Sequence, residues 1–229
     1  MIQRDYRVTE MKKRTTKAAA AIGLRTCLAA VLLLAANMPL LHAEDHGRDM
    51  PVPAFSVVDM RGHPHHYNSH SGKITAVIFF STRCPMSNAF NHRRQVLFHE
   101  YGRRVRFLVI DSNANESIQE VRNYARDVEF DFPVFLDPDN KVADLLGARN
   151  TTETFVLDTR GMVRYRGYIE DAPNPERTKL QGLKLAIEAV LADRPVETPE
   201  TRGIGCSIRR TRNNRDSENH SLNGATNGR

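Results

Sequence analysis

The stretch VIFFSTRCPMSNAF, residues 77–90, decides how this chain is read. It joins two patterns. Residues 74–80, ITAVIFF, form a nearly unbroken apolar and β-branched run, the signature of a strand buried on both faces. Pro85 then opens a helix, because its fixed φ suits the first helical position. That helix is expected to continue through NAFNHRRQVLFHEYG to a stop at Gly102, with Phe90, Val96, Leu97 and Tyr101 among its apolar positions. Cys84 stands between strand and helix. Free backbone N–H groups and the positive end of the helix dipole favour a thiolate there. Arg83 adds a positive charge beside it, and such surroundings lower a thiol pKa. The rival reading of Cys84 is a buried, inert cysteine.

Outward from this segment, strand and helix signals alternate. Residues 54–60 read as a strand, closed by a turn at Arg61-Gly62 and followed by a short strand that includes His66 and Tyr67. Residues 105–110 (VRFLVI) are a second buried strand. Asn113 and Asn115 are cap candidates for a helix reaching about Val128, with Ile118, Val121 and Ala125 on one face. Residues 132–136 form a short extended segment, 137–140 (DPDN) a turn, and KVADLLG a short helix closed by Gly147. TFVLD (154–158) and MVRYRGY (162–168) form a hairpin, and Asn174-Pro175 begins the last helix. The order predicts an α/β fold: a mixed sheet with a parallel centre and a C-terminal antiparallel hairpin.

The ends of the chain differ from its middle. Residues 1–43 hold a basic run (Lys12, Lys13, Arg14, Lys17, Arg25), a short apolar stretch at 26–36, and LHA ending at Ala43. This is the layout of a cleaved secretory signal peptide, with cut near Ala43, and implies a periplasmic or secreted protein. An uncleaved N-terminal anchor is the alternative. No run of twenty apolar residues is present, so no stable membrane span is expected in the mature form. Residues 1–43 carry seven Lys/Arg against two Asp/Glu, and 209–229 carry five Arg against Asp216 and Glu218. The chain's net charge of +6 is therefore a property of its ends, and residues 44–208 sum to −2. The folded part thus offers no case for nucleic-acid binding. The expected organisation is a signal peptide at 1–43, a linker at 44–50, one domain at 51–195, an extension at 196–208 and a polar, disordered tail at 209–229. Of three cysteines, Cys84 and Cys206 remain after cleavage.

FFSTRCPMS resembles the thioredoxin active-site segment, in which a strand ending in aromatics leads to CxxC at a helix start. Cys84 matches the first cysteine, and Ser87 stands where the second would be. DPDNKVADLLGARNTTETFVLDTRGMVRYRGYIED resembles the redoxin branch that includes the alkyl hydroperoxide reductase/thiol-specific antioxidant proteins. More closely, residues 51–207 look like an exported peroxiredoxin-like subgroup with a lone active-site cysteine. The resemblance implies a three-layer thioredoxin-like fold, a nucleophilic Cys84, and a protein disulfide, protein thiol or small peroxide as partner. It implies no organic cofactor and no metal.

Three departures from the family pattern matter. The dithiol CxxC is absent; Ser87 can hydrogen-bond to a Cys84 thiolate but cannot form a disulfide. The PxxxTxxC pattern of peroxiredoxins is absent, with Val77 and Ser81 at its Pro and Thr positions. Thr152 occupies the place of the usual cis-proline before the strand facing the active site, where Thr does not lower the cost of a cis bond. Cys206 in PETRGIGCSI is the candidate partner, similar to a C-terminal GC motif of the subgroup. It reads as a resolving thiol for Cys84, as one half of a static disulfide, or as unpaired.

Outside this segment the signals are weaker. His63, His65, His66 and His70 form a histidine-rich stretch without fixed metal-ligand spacing and read as solvated loop residues. His92 and His99 are expected to face solvent, and Arg149 to be a surface residue. The leading expectation is an exported thiol redox protein in which Cys84 attacks, Cys206 resolves, and Ser87, Arg83 and the helix start stabilise the thiolate. The alternatives are a binding module that kept the fold without catalysis, and a copper-handling protein using Cys84, Cys206 and a histidine.

Overall fold

The chain order is β1 (Phe55–Asp59), β2 (Pro64–Tyr67), β3 (Thr75–Phe80), α1 (Pro85–Asn88), α2 (Asn91–Tyr101), β4 (Arg106–Asp111), α3 (Ile118–Asp127), β5 (Val134–Leu136), α4 (Lys141–Leu145), β6 (Thr154–Leu157), β7 (Val163–Gly167) and α5 (Gly182–Leu191). The computed structural model describes residues 50–68 and 71–211, all within the unit His46–Arg229. The strands form one sheet in the order β2-β1-β5-β4-β3-β6-β7. β3, β4 and β5 run parallel, and every other pairing is antiparallel. Parallel neighbours need a crossover, which α1 with α2 and then α3 supply. β6 and β7 meet through a tight turn and so form the antiparallel hairpin on the far side of β3.

β3 is buried along its whole length because both sheet faces are covered. Ala76, Ile78 and Phe80 enter one core with Leu97 of α2, Val121 of α3 and Leu183 and Ile187 of α5. Val77 and Phe79 enter the other with Val142 and Ala143 of α4 and Ile208. This is the expected α/β mixed sheet in three layers.

Several boundaries differ from the expectation. The helix expected to run unbroken from Pro85 to Gly102 is interrupted at Ala89-Phe90. Phe90 is drawn into the core and its N–H bonds the Ser87 carbonyl at 3.0 Å, which ends the first turn. Asn113 does not cap α3; its N–H and its amide both bond Asp111 Oδ1. Ser117 is the cap, and its hydroxyl accepts from Glu120 N–H at 3.2 Å. Asn174-Pro175 opens only a 3₁₀ turn, Pro175–Arg177, and the last helix starts at Gly182. Val96, one of the apolar positions of the expected helix, is 45% exposed.

After α5 the chain returns across the sheet as an extended strap. Residue 200 pairs in parallel with Arg166 at the outer edge of β7. Further on, Ser207 pairs antiparallel with Asn150, bracketed by Thr151 N–H to Cys206 O at 2.8 Å and Ile208 N–H to Arg149 O at 2.9 Å. The Ile208 side chain is buried, which contributes about 1.5–3 kcal/mol to seating the strap. The packed chain continues past 208, where the tail was expected to begin. Arg209 N–H bonds Asn113 Oδ1 at 3.0 Å, Arg210 is buried, and Thr211 N–H bonds Asn140 Oδ1 at 2.7 Å. Residues 1–49, on which the expected signal peptide and most of the linker fall, residues 69–70, and the rest of the expected tail, 212–229, lie outside the described residues.

Gly205 is what lets the strap lie this close. Its φ is +138°, and a Cβ there would stand 2.0 Å from the Thr151 carbonyl oxygen. Gly205→Ala is therefore expected to lift residues 203–208 at a cost of at least about 1 kcal/mol. Amide hydrogen exchange checks it: Thr151 and Ile208, the two donors of the pairing, should lose protection while β3 and β4 keep theirs. Unchanged protection at Ile208 would contradict this account of the strap.

Candidate active site

Cys84 follows directly from the C-terminal end of β3, through the loop 81–83. Its side chain is almost wholly buried, and as the cap of α1 its sulfur accepts from Ser87 N–H at 3.4 Å. α1 is a single turn, so fewer aligned peptides act on the sulfur than a long helix would supply. What remains is this direct hydrogen bond. Cys206 comes from the strap, 122 residues on, and its sulfur lies 2.6 Å from Cys84 Sγ. No disulfide joins the two; Cys206 is exposed and Cys84 buried.

The pair is electrostatically unequal. Burial alone pushes the Cys84 thiol up. Hydrogen bonds from the Cys206 thiol, the Thr151 hydroxyl and the backbone N–H groups of Ser87 and Cys206 outweigh it and hold Cys84 below its ordinary value. Cys206 is pushed up to about 11, first by giving its hydrogen to Cys84, then by burial and by the charge on Cys84. The arrangement makes Cys84 the thiol of the pair that ionises more readily, with the Cys206 thiol donating to it.

The other expected site residues divide. Ser87 is fully buried, and its hydroxyl oxygen accepts from Ser81 N–H at 3.1 Å and from Arg94 Nη2 at 3.0 Å. Its contact with the sulfur is through backbone N–H, not the hydroxyl. Arg83 is half-exposed and pairs in a two-pronged bridge with Glu120, Nε to Oε1 at 2.6 Å and Nη2 to Oε2 at 2.9 Å. Its charge is thus met by Glu120. Thr152 is buried at φ +108°; its N–H bonds Phe79 O at 2.9 Å and its hydroxyl bonds Ile204 O. It ties the strap to the end of β3. Among the described residues no peptide bond is cis.

Beneath the loop lies a polar floor that the sequence reading missed. Glu116 accepts from the hydroxyls of Ser81 and Thr82 and from Thr82 N–H at 2.7 Å. Burial, reinforced by the charge of Glu116, pushes the neighbouring Asp111 carboxyl well above the usual range. Asn113 joins this floor to the strap, since it bonds Asp111 and accepts from Arg209. Arg94, fully buried under Ser87, was also missed. A signal for it was present: Arg94 falls on the same helical stripe as Phe90, Leu97 and Tyr101.

The histidines lie elsewhere. His65 and His63 meet Asp59 at 3.0 and 3.6 Å, and His66 meets Ser56 at 2.7 Å. They sit on or beside β2, separated from β3 by β1, β5 and β4. His70 lies outside the described residues. Among the described residues no three His, Cys, Asp or Glu side chains converge as a metal-ligand set. His92, His99 and Arg149 are exposed, as expected.

The comparisons with known proteins bear on the fold and the family. A hypothetical protein from Sinorhizobium meliloti 1021 is 25% identical, with TM-score 0.63 over 71% of this chain and 94% of its own. An uncharacterized conserved protein from Geobacillus kaustophilus is 24% identical, with TM-score 0.64 over 71% of this chain and 92% of its own. Peroxidoxin BcpB from Mycobacterium tuberculosis shares the fold at 19% identity, with TM-score 0.51 over 63% of this chain and 96% of its own. No curated protein matches the chain. The model of the AhpC/TSA family matches residues 49–166, just over half of the chain, and includes β3, Cys84 and the sheet that carries them. With a thioredoxin-like fold that sets a cysteine at the end of a central strand, this chain belongs to the AhpC/TSA family.

Proposed function

We propose that the protein is an exported thiol–disulfide oxidoreductase in which Cys84 is the nucleophile and Cys206 the resolving thiol. The observation that carries the reading is the 2.6 Å approach of two sulfurs 122 residues apart. Covalent geometry requires such proximity before a disulfide can close. Export rests on the signal-peptide pattern of residues 1–43, with cleavage near Ala43 and a periplasmic or secreted destination. Among the described residues no helix is long and apolar enough to cross a membrane.

The exchange follows from the unequal pair. The Cys84 thiolate attacks one sulfur of a partner disulfide; a Cys84–partner disulfide forms, and the other partner sulfur leaves as a thiolate. Cys206 then gives up its proton and attacks Cys84 Sγ. A Cys84–Cys206 disulfide forms, and the second partner sulfur leaves. The partner disulfide has gained two electrons and the cysteine pair has lost two. A dithiol from another protein returns the pair to its reduced form. Cys84 suits the first attack because its thiol ionises more readily than that of Cys206. Cys206 suits the second because it already touches Cys84.

A second reading is favoured by the family match over residues 49–166. A small hydroperoxide would then be the electrophile: Cys84 takes one peroxide oxygen as a sulfenic acid and releases water or an alcohol. Cys206 condenses with that sulfenic acid, releasing water.

Cys206→Ser is expected to slow turnover of a small model disulfide by at least about tenfold and to accumulate a Cys84 mixed disulfide visible by intact mass. Cys84→Ser should abolish turnover. Turnover by Cys206→Ser at the wild-type rate would exclude Cys206 as the resolving thiol. The pH dependence gives a separate check through thiolate ultraviolet absorbance. The reduced pair should titrate in two apparent steps, one below the ordinary thiol value of about 8.5 and one near 11. Two thiolates appearing together near the ordinary value would contradict the assignment.

A further inference from the structure

The exchange leaves one buried charge without a purpose. The Arg94 side chain has no solvent exposure and lies in the apolar stripe of α2. Burying an ion costs several kcal/mol unless it is paired, and a buried guanidinium ordinarily meets a carboxylate. Arg94 meets none among the described residues. Nη1 donates to Ser87 O at 3.0 Å and to Asn91 Oδ1 at 2.8 Å, and Nη2 donates to Ser87 Oγ at 3.0 Å. Nε has no hydrogen-bond partner, and the guanidinium sits 5.7 Å from the Phe80 ring centre. All its acceptors are neutral. Burial lowers the guanidinium to about 10, so it stays charged at neutral pH, and Tyr124 and Cys84 are the groups whose charge acts on it. Of these two, Cys84 is the one the exchange ionises.

We propose that Arg94 is the buried counter-charge of the Cys84 thiolate and a positioning residue that acts through Ser87; the inference rests on the thiol-exchange reading of the site. Two guanidinium nitrogens hold Ser87 at its carbonyl and its hydroxyl. The same residue's N–H points at Cys84 Sγ at 3.4 Å. The clamp therefore fixes the donor that faces the sulfur and brings a positive charge beneath it in a site of low dielectric. This gives Ser87 a role beyond that of an absent second cysteine. A hydroxyl oxygen accepts the guanidinium well, whereas a thiol sulfur is a weak acceptor. Among the described residues the other charged or titratable groups around Cys84 are Cys206 and Arg209 on the strap and the Asp111–Glu116 floor behind Ser81 and Thr82.

The test is the thiolate titration of Cys84 in a Cys206→Ser background, where a single thiol remains in the folded domain. Arg94→Met keeps the bulk and removes the charge. It should raise the Cys84 pKa by about one unit, a tenfold change in its ionisation constant. Arg94→Lys should recover part of the shift, because the charge returns without the two-pronged clamp. Ser87→Ala should raise the value less than Arg94→Met, since the charge stays and the clamp loses one point. A folded Arg94→Met protein with an unchanged Cys84 pKa overturns the inference. If Arg94→Met does not fold, Arg94→Lys and Ser87→Ala decide: two unchanged titrations overturn it, and a rise in both supports it. The exchange reading fails separately. If wild-type protein never forms the Cys84–Cys206 disulfide but Arg94→Met still raises the Cys84 pKa, Arg94 keeps this role at a site of different chemistry.

Discussion

The site depends on a short antiparallel pairing between the strap and the loop before β6. Two main-chain hydrogen bonds, Thr151 to Cys206 and Ile208 to Arg149, fix where Cys206 stands. Loop closure over 122 residues is entropically unfavourable, and without such a register the two sulfurs would rarely meet. The pairing is held at both ends. Ile208 is sunk in one core, and the Thr152 hydroxyl holds Ile204. Gly205 permits the close approach between them. The strap tip leaves Cys84 almost wholly buried, while the anchor at Ile208 lies to one side of the sulfurs.

The chemistry of Cys84 comes from a small set of donors in a dry place. Burial alone would keep the thiol protonated, and the hydrogen bonds reverse that tendency. The donors belong to three parts of the chain: the Ser87 turn, the Thr151 loop and the strap. Arg94 stands below one of them and the Asp111–Glu116 floor supports the loop carrying Cys84. The lowered Cys84 thiol is thus a property of tertiary packing as much as of the helix start, because α1 is only one turn long.

Much of the fold was legible because its signals are local. The unbroken apolar run at 74–80, the turn before β7 and the stop at Gly147 each depend on nearby residues, and they set β3, the β6–β7 hairpin and α4. The misplaced boundaries arose where a tertiary contact overrode a local preference. Phe90 broke a helix by entering the core, and Asn113 left its capping role to bond Asp111. The serine at 117, three residues before Glu120, carried the correct capping signal. For the site, Cys84 was legible from strand, proline and spacing. The placement of Cys206 was not, since no local pattern specifies a contact across 122 residues. Arg94 was hidden for a related reason: a charged residue on an apolar stripe is ordinarily read as the edge of the stripe. Arg83, beside the cysteine in sequence, is turned to Glu120 instead.

Peptide mass mapping of the protein after mild oxidation tests the central claim most directly. The account predicts a single cross-linked species joining the peptides of Cys84 and Cys206, formed by a small disulfide oxidant and removed by a dithiol. Two free thiols after the same treatment would contradict it.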